Sequence, residues 1–246
     1  ASPKLNSLKI VSNILYSSNG LKYGTGIFFN YSNTIMNNCN ISDNFSNFLD
    51  GGAIYCLFSN IKITNSKIHE NDEGITSTHS NVYLKFVLIF DNINGNGNGG
   101  GIEANHSYFN LQNVSLIDNT AYVDGGGIYS DNSEFNIKNS IIQNNLAGMG
   151  GGGGIFISSA DSFNISNTKI IDNRARNYGG IWSLTSTLNF KNVEIVGNDD
   201  SEDVAGAFFS NCTTNFRNCL IVRNDGGAQS LSGIKFSSSQ GYLINV

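Results

Sequence analysis

The chain has 246 residues, a formal net charge of −5 at pH 7 and 13% charged residues, about half of the usual share. The acidic balance argues against nucleic-acid binding, and no apolar run reaches the roughly 18 residues that a membrane-spanning helix needs. Proline occurs once, which suits a chain made of continuous strand ladders.

A repeat of mostly 26 or 27 residues, with one short step of 21, runs along the whole chain. A fixed period of this size predicts a solenoid in which each coil stacks on the one before it. We therefore predict one domain over 1–246, with an irregular first coil at 1–26, regular coils at 27–224 and a last partial coil at 225–246. The most regular mark is the residue that follows a glycine run: Ile27, Ile54, Ile75, Ile102, Ile128, Ile155, Ile181, Ala207 and Ile234.

Between these marks, apolar and polar residues alternate. In the coil that begins at Gly125, alternation turns Ile128, Phe135 and Ile142 inward and Tyr129 outward. Such alternation predicts three short strands per coil, each stacked in parallel about 4.8 Å from its equivalent. Crossovers between parallel strands are nearly always right-handed. The predicted fold is thus all-β, a right-handed single-stranded parallel β-helix of about nine coils with asparagine ladders.

Two columns of asparagine share this period and lie six residues apart. We interpret both as inward ladders, in which each amide bonds to the amides above and below it for about 0.5–1.5 kcal/mol per bond. Phe86 replaces asparagine in the first column, so we expect local irregularity there. The first column holds Asn38, Asn65, Asn113, Asn139, Asn167, Asn192, Asn218 and Asn245. The second holds Asn44, Asn71, Asn92, Asn119, Asn145, Asn173, Asn198 and Asn224.

Segments of variable length separate the second column from the next glycines. Variable segments of a solenoid usually line one side and often bind ligands. The acidic segment near Asp200 is predicted to be a solvated loop, with weak Ca²⁺ binding as the alternative, because it lacks the EF-hand pattern. Its four carboxylates are those of Asp199, Asp200, Glu202 and Asp203. The segments are Phe45–Asp50, Ile93–Asn98, Thr120–Asp124, Leu146–Gly151, Arg174–Tyr178 and Asp199–Ala205.

The cysteines and the glycosylation sequons give weak signals. Four cysteines fit no metal spacing and are predicted to be buried apolar residues, with a Cys212–Cys219 disulfide as the alternative. Seven N-x-S/T sequons are about as many as chance predicts in a chain so rich in asparagine and serine, and those at Asn44 and Asn113 coincide with the ladders. The remaining candidates for glycosylation are Asn30, Asn40, Asn105, Asn164 and Asn211.

Candidate catalytic groups are sparse. Polysaccharide lyases and hydrolases need paired carboxylates, or calcium-binding aspartates beside a basic residue. Glu103 and Asp131 lie near each other on the first strand without a basic partner. His79 and His106 share a column, which predicts imidazoles about 5 Å apart that stack rather than bind metal. We assign no catalytic residue, no resident metal and no cofactor.

An outward stripe of aromatic residues comes one position after each mark. Flat aromatic side chains can stack on sugar rings or anchor protein contacts. The alternative is that the rings only stabilise the sheet, by about 0.2–1 kcal/mol per cross-strand pair. The stripe, which we call the aromatic stripe, consists of Phe28, Tyr55, Tyr129, Phe156, Trp182 and Phe208.

The third strand is apolar on its outward positions as well as on its inward ones. Strands buried on both faces have this pattern, and bare apolar patches usually mark interaction sites. We therefore expect this outer surface, the third-strand face, to be covered by another copy or another domain. Its residues are Leu88, Phe90, Ile117, Ile141, Ile171, Val196, Leu220 and Val222.

The start of each coil resembles a known repeat. Gly51–Ile54 matches the GGA[I/L/V] tetrapeptide of the polymorphic outer-membrane protein family, and Gly125–Ile128 is a variant with glycine in place of alanine. The FxxN tetrapeptide of that family is replaced by aliphatic versions such as Ile142–Asn145 and Ile170–Asn173. The resemblance implies a right-handed β-helix displayed at the cell surface, commonly in adhesion.

These observations favour a non-enzymatic structural or adhesive protein that acts outside the cell or at its surface, with fibre formation among its roles. The expected partners are further copies of the chain or another extracellular protein, and glycans are a weaker expectation. The alternative function is the binding or cleavage of polysaccharide by a pectate-lyase-like β-helix through the aromatic stripe.

Overall fold

The computed structural model describes residues 3–15, 24–46, 51–226 and 231–246, and in these ranges the chain is a parallel β-solenoid of about eight turns. The described residues form strands and turns but no helix, so none of them belongs to a helix capable of crossing a bilayer. Strand pairing is parallel throughout, and equivalent residues of successive coils lie side by side, as for Tyr129 and Phe156. The repeat in the sequence therefore predicts the fold correctly.

The first sheet contains the strand of each coil that begins at the marked residue, directly after the glycine run. Its nine strands are stacked in chain order, so each coil adds one strand at one edge. They are Ile27–Asn30, Ile54–Leu57, Ile75–Thr78, Ile102–Asn105, Ile128–Asp131, Ile155–Ser158, Ile181–Leu184, Ala207–Ser210 and Ile234–Ser237.

The second and third strands of the coils form two further faces, which join because two strands run through both of them, Phe163–Ile171 and Thr187–Val196. The other second strands are Lys4–Asn6, Asn33–Asn37, Asn60–Thr64, Asn81–Lys85, Tyr108–Gln112, Glu134–Lys138, Thr213–Arg217 and Gln240–Ile244. The other third strands are Lys9–Val11, Asn40–Ser42, Lys67–His69, Leu88–Phe90, Ser115–Ile117, Ile141–Gln143 and Leu220–Val222.

The segments of variable length are not simple loops. They form short parallel strands of a fourth surface, the corner sheet, which the expectation of three strands per coil missed. Two strands pair at one end, Ile14–Leu15 and Phe45–Ser46, while residues 47–50 of the first predicted segment lie outside the described ranges. Five more strands pair farther along: Ile93–Asn94, Thr120–Ala121, Leu146–Gly151, Arg174–Asn177 and Asp199–Asp200.

Nearly every turn between strands is made by one residue in the left-handed region, with φ between 46° and 58°. Asn132, Asn139 and Asn144 make the three turns of one coil, and an inward polar residue follows each of them. Asparagine and aspartate adopt this conformation at less cost than other residues with a Cβ. The left-handed residue bends the chain and restarts the alternation, so that Ser133, Ser140 and Asn145 face the interior.

The glycines at the start of each coil have two structural roles. Gly125 has φ +68°, a conformation that suits glycine. Gly127 leaves no room for a side chain, since a Cβ there would lie 2.6 Å from the carbonyl oxygen of Gly154 in the next coil. These glycines let successive coils approach to the spacing of one strand.

The second asparagine column is the predicted inward ladder. Its side chains are at most 7% exposed, and the amide nitrogen of every member before Asn224 donates to the amide oxygen of the next coil at 2.8–3.1 Å. Asn13 begins the column by donating to Asn44, so a coil does precede the first glycine mark. Repetition satisfies the buried amides, which would each cost about 1–3 kcal/mol if left unpaired.

The first asparagine column was predicted wrongly. Its members lie outside the core at left-handed turns, and most of them are exposed. Phe86 has the same conformation, with φ 54°, and is 53% exposed, so the backbone is regular where irregularity was expected. The column does form side-chain bonds, but on the surface: Asn167, Asn192, Asn218 and Asn245 each donate backwards to the preceding member at 2.8–3.3 Å.

Candidate functional surfaces

The aromatic stripe lies on the outer face of the first sheet, as predicted, and its rings contact one another. Phe28 stacks on Tyr55 with ring centroids 5.4 Å apart, and Tyr129 stacks on Phe156 at 5.0 Å with an interplanar angle of 6°. Trp182 meets Phe156 edge-on at 4.8 Å. Each of these five rings therefore has at least one neighbouring ring packed against it.

The corner sheet packs against this stripe and covers part of it. Tyr55 and Phe156 are each 6% exposed, whereas Phe28 is 38% exposed. From the corner, Tyr178 packs against Trp182 at 4.9 Å and stacks on Phe208 at 4.6 Å. These contacts favour the interpretation that the stripe stabilises the fold.

Burial also changes the acid–base properties of the stripe. Desolvation raises the pKa of Tyr129 to about 12, and the nearby carboxylates of Asp131, Glu103 and Asp124 act in the same direction. Glu103 is 8% exposed and accepts a hydrogen bond from the Asn105 amide at 2.8 Å. Tyr129 therefore stays protonated at neutral pH and contributes an apolar ring and a hydroxyl group.

A further aromatic column, which was not among the predicted sites, is exposed at the turn between the first and second strands. It consists of Tyr31, Phe58, His79 and His106, whose neighbouring rings are each 5.0 Å apart. Tyr31 is 76% exposed and Phe58 is 44% exposed. The predicted distance between the two histidines is confirmed. The signal was present in the sequence, since all four residues come four positions after a glycine mark.

The third-strand face has its eight predicted apolar residues pointing outward. Leu220 and Val222 are 50% and 36% exposed, and the other six are half-buried. The face is less uniformly apolar than predicted, because Lys169 and Glu194 lie in the same columns and form an ion pair at 2.9 Å. It is a mixed surface with an apolar centre.

Three of the four carboxylates of the acidic segment pair with cations of neighbouring coils. Asp199 pairs with Arg174 at 3.3 Å, Glu202 with Arg176 at 2.8 Å, and Asp203 with Lys235 at 2.8 Å. In the described ranges, no three histidine, cysteine, aspartate or glutamate side chains are grouped as metal ligands. Calcium binding at this segment stays a prediction, and an incoming ion would compete with three ion pairs.

Asp200 is the buried member of the acidic segment. It is 3% exposed, and one carboxylate oxygen accepts the backbone N–H of Asp203 at 2.7 Å. Its Oδ1 atom has no hydrogen-bond partner among the described residues. Desolvation raises the pKa of this carboxyl group, and the nearby backbone N–H groups oppose the shift.

The cysteines are buried free thiols, so the alternative Cys212–Cys219 disulfide is not formed. Cys212 opens the second strand region and Cys219 the third, on different faces of one coil. Burial raises the pKa of the thiols of Cys56 and Cys219. These cysteines act as small apolar residues of the core.

The candidate glycosylation sites differ in accessibility. Asn30 and Asn211 are exposed, whereas Asn40, Asn105 and Asn164 are half-buried and engaged in side-chain hydrogen bonds. Asn44 belongs to the buried ladder, as expected, but Asn113 lies at an outward turn. Asn30 and Asn211 are therefore the most accessible of the predicted sites.

A notch interrupts the corner sheet where the chain takes its short step. The coil that begins at Ile54 has no strand there, and a cavity of about 540 Å³ lies between Phe45–Ser46 and Ile93–Asn94. Phe45 and Ile93, 44% and 57% exposed, contribute apolar surface. The described residues that line the notch include four carboxylates and no lysine or arginine: Glu70, Asp72, Glu73 and Asp91.

Comparison of the chain with models of protein families, with curated proteins and with solved structures gives no significant match. The resemblance of the coil boundaries to the polymorphic outer-membrane protein repeat therefore rests on the tetrapeptides alone.

Proposed function

We propose that this chain is a non-enzymatic structural or adhesive module that acts at the cell surface or outside the cell. It would bind other proteins, including copies of itself, along the sides of a rigid rod. One observation carries the proposal: the coils are locked in register, so the outer faces present side chains in columns at the spacing of one strand.

Rigidity comes from the buried asparagine ladder, which runs from Asn13 to Asn224 through consecutive side-chain hydrogen bonds. A surface that is already ordered loses little conformational entropy when it binds a partner. Repeated equivalent contacts also add up along a rod, because each new contact forms at high effective concentration. The fold therefore favours long lateral contacts over a single deep site.

The third-strand face is the best candidate for such a contact. Ile171 and Val196 lie side by side on successive coils, half-exposed beside the Lys169–Glu194 ion pair. An apolar centre with a polar rim is the usual organisation of a protein interface. A second rod could align its own columns with these residues.

The test is the oligomeric state of the purified chain over a range of concentrations, measured by analytical ultracentrifugation and negative-stain electron microscopy. We expect side-by-side assemblies, and we expect Ile171→Lys with Val196→Lys to disperse them. A matched control, Asn136→Lys with Asn215→Lys, adds the same charge to exposed positions of the second strand. A wild-type chain that stays monomeric at all concentrations would refute self-association through this face.

The second candidate function, polysaccharide binding or cleavage, has weaker support. Sugar stacking requires open ring faces, whereas in the aromatic stripe Tyr55 and Phe156 are each only 6% exposed and Tyr178 packs against Trp182 and Phe208. The single tryptophan, Trp182, lies within the stripe and reports on it directly. A change in its fluorescence on adding oligosaccharide, or the release of shortened polysaccharide chains, would favour this candidate over the first.

A further inference from the structure

The outer surface of the second strands is polar and regular. Over five successive coils, from Tyr108–Gln112 to Thr213–Arg217, it presents three columns of side chains that run along the axis of the solenoid, and we call this surface the second-strand face. The first and third columns consist only of asparagines, and the third lies at the left-handed turn. The columns are Asn110, Asn136, Asn164, Asn189 and Asn215; then Gln112, Lys138, Ser166, Lys191 and Arg217; then Asn113, Asn139, Asn167, Asn192 and Asn218.

Hydrogen bonds between side chains hold the amides of this face in place. Asn189 donates to Asn164 at 2.9 Å, and Asn215 donates to Asn189 at 2.9 Å. In the turn column the amides donate in the same direction, towards the preceding coil. Each of these bonds uses one N–H of the donor, so the second N–H has no partner among the described residues. The face therefore offers ordered hydrogen-bond donors at the spacing of one strand, about 4.8 Å.

The central column carries positive charge without a partner. Lys138, Lys191 and Arg217 are exposed, and within the described ranges none of them forms an ion pair. None of the residues in the three columns is acidic. The Glu134 carboxylate is four residues, about 13 Å, from Lys138 along the strand, and that of Glu194 is engaged in the ion pair of the third-strand face. On a chain with a net charge of −5, this column favours a negatively charged ligand.

The density of charge on the second-strand face distinguishes classes of anionic ligand. Lys138 and Arg217 are three coils apart, so three cations are spread over about 14 Å, and Ser166 interrupts them. A nucleic-acid strand carries one phosphate per about 3.4 Å and calls for a denser set of cations. Here the neutral amides outnumber the cations. Amides suit hydroxyl groups and the terminal oxygens of a sulfate ester, which accept several hydrogen bonds for a single charge.

We propose that the second-strand face binds a linear sulfated polysaccharide that lies along the axis of the solenoid. Its sulfates would contact Lys138, Lys191 and Arg217, and the arginine can donate two parallel hydrogen bonds to one sulfate. The asparagine columns on either side would bond to hydroxyl groups of the sugar rings, and each coil would offer the polymer an equivalent set of donors.

This inference rests on the proposed adhesive function and deepens it, because it names a ligand class for a second face of the rod. It differs from sugar stacking on the aromatic stripe, since binding depends on charge and amide groups and requires no open ring face.

The first test compares labelled ligands by fluorescence polarisation with the full chain. The probe is a decasaccharide of chondroitin sulfate, which has one sulfate per two sugar rings. One comparison ligand is the same decasaccharide without sulfate, which keeps its carboxylates, and the other is a single-stranded DNA oligomer of the same net charge. We expect both comparison ligands to bind at least about tenfold more weakly than the probe.

The second test removes the central charges. Lys138→Gln with Lys191→Gln and Arg217→Gln keeps polar side chains at exposed positions, and we expect this triple variant to bind the probe at least about tenfold more weakly. Urea unfolding checks that its stability is that of the wild type.

The matched control for charge is Lys9→Gln with Lys67→Gln and Arg223→Gln. It also removes two lysines and one arginine from exposed positions, but these lie outside the second-strand face. The control should bind the probe as the wild type does.

The third test concerns the amides. Asn164→Ala with Asn189→Ala removes a bonded pair from the first column, and we expect at least about threefold weaker binding of the probe. Asn60→Ala with Asn81→Ala is the matched control, since these side chains form an equivalent bond at 2.8 Å on second strands outside the five coils of the face. This control should not change binding.

The proposal is overturned if the chondroitin sulfate probe does not bind. It is also overturned if the unsulfated decasaccharide or the DNA oligomer binds as tightly as the probe, or if the two triple variants bind alike, because the face would then not recognise sulfate through its central column. A chain that binds the probe but stays monomeric refutes self-association alone, and a chain that assembles without binding the probe refutes this proposal alone.

Discussion

The two asparagine columns use the same residue at the same period for different physical reasons. Asn145 is fully buried, and its amide makes four hydrogen bonds that join three successive coils. Asn167 is exposed, and its backbone has φ 48°. In the buried column the amide group is essential because it satisfies buried polar atoms. In the exposed column the backbone conformation selects asparagine, and the amide bonds are secondary.

The comparison teaches that a repeated residue type does not reveal which way a column faces. Alternation along the second strand turns Ile137 inward and Lys138 outward, which suggests that Asn139 faces inward. The left-handed turn at Asn139 shifts the alternation by one residue, so Ser140 faces inward in its place. The two columns can be distinguished by substitutions that remove the amide group but keep the backbone conformation, and by substitutions that disfavour the left-handed conformation.

The largest expected effect comes from removing a central amide of the buried ladder. Asn145→Ala leaves the backbone N–H of Asn119 without its acceptor in the core and removes the side-chain bonds to Asn119, Asn173 and the Leu116 carbonyl. We expect the free energy of unfolding to fall by about 3–5 kcal/mol, since each buried unsatisfied group costs about 1–3 kcal/mol. Urea unfolding followed by circular dichroism measures the change.

Asn224→Ala is the matched control for this substitution. Asn224 is 7% exposed and accepts from Asn198, and its own amide nitrogen donates to the Ile195 carbonyl. It joins fewer described neighbours than Asn145, so its loss should cost less. Equal losses of unfolding free energy at the two positions would mean that the hydrogen bonds between successive amides do not determine how much each asparagine stabilises the fold.

The next largest effect is expected in the exposed column, where the backbone conformation is at issue. Asn167→Val places a β-branched residue at φ 48°, and we expect a loss of about 1–2 kcal/mol, the usual cost of the left-handed region. Urea unfolding followed by circular dichroism measures this change as well. If valine is tolerated without loss, the turn relaxes to another conformation and the explanation of this column is wrong.

The fold and part of the candidate surfaces were predictable because they depend only on the position of each residue within the repeat. Ile128, Asn145 and His106 each have an equivalent residue one period earlier in the sequence, and a constant period places the two side by side on successive coils. The corner sheet was not predictable in this way, since strands of two residues such as Ile93–Asn94 are too short to show alternation. The notch depends on a comparison between coils, namely that one lacks a segment which its neighbours have.

One signal in the sequence did contradict the inward assignment of the first asparagine column. Phe86 occupies that column, and its ring would have to fit in the core between the inward residues Leu84 and Val87. A core packed at crystal density does not accept such an insertion without displacing its neighbours. The size of the side chain at a single position therefore shows whether a whole column faces the core or the solvent.

A third contrast sets the buried amides against the buried carboxylate of Asp200. Its folded-state pKa is raised above the unfolded value of about 3.9, so the folded state binds more protons just above that pH. Stability from this group is then present at low pH and is lost as the pH rises through the raised pKa. Asp72, Asp91 and Asp124 shift in the same direction.

We therefore expect Asp200→Asn to reduce the decline in unfolding free energy between about pH 4 and pH 7, without loss of stability at pH 7. Asparagine keeps an oxygen that can accept the N–H of Asp203. The measurement is urea unfolding at a series of pH values. A variant that is less stable at pH 7 and keeps the full pH dependence would show that the ionised carboxylate stabilises the fold.

The smallest expected effect is that of Asn167→Gly, and it isolates the exposed amide ladder. Glycine adopts φ 48° without steric cost, so this change removes the amide bonds to Asn139 and Asn192 while it keeps the turn. Exposed bonds exchange readily with water, so we expect a change of less than about 1 kcal/mol. Asn145→Gly in the buried column should still cost at least as much as Asn145→Ala. If Asn167→Gly instead destabilised the chain as much as Asn167→Val, the surface amides and not the left-handed backbone would explain the asparagines of this column.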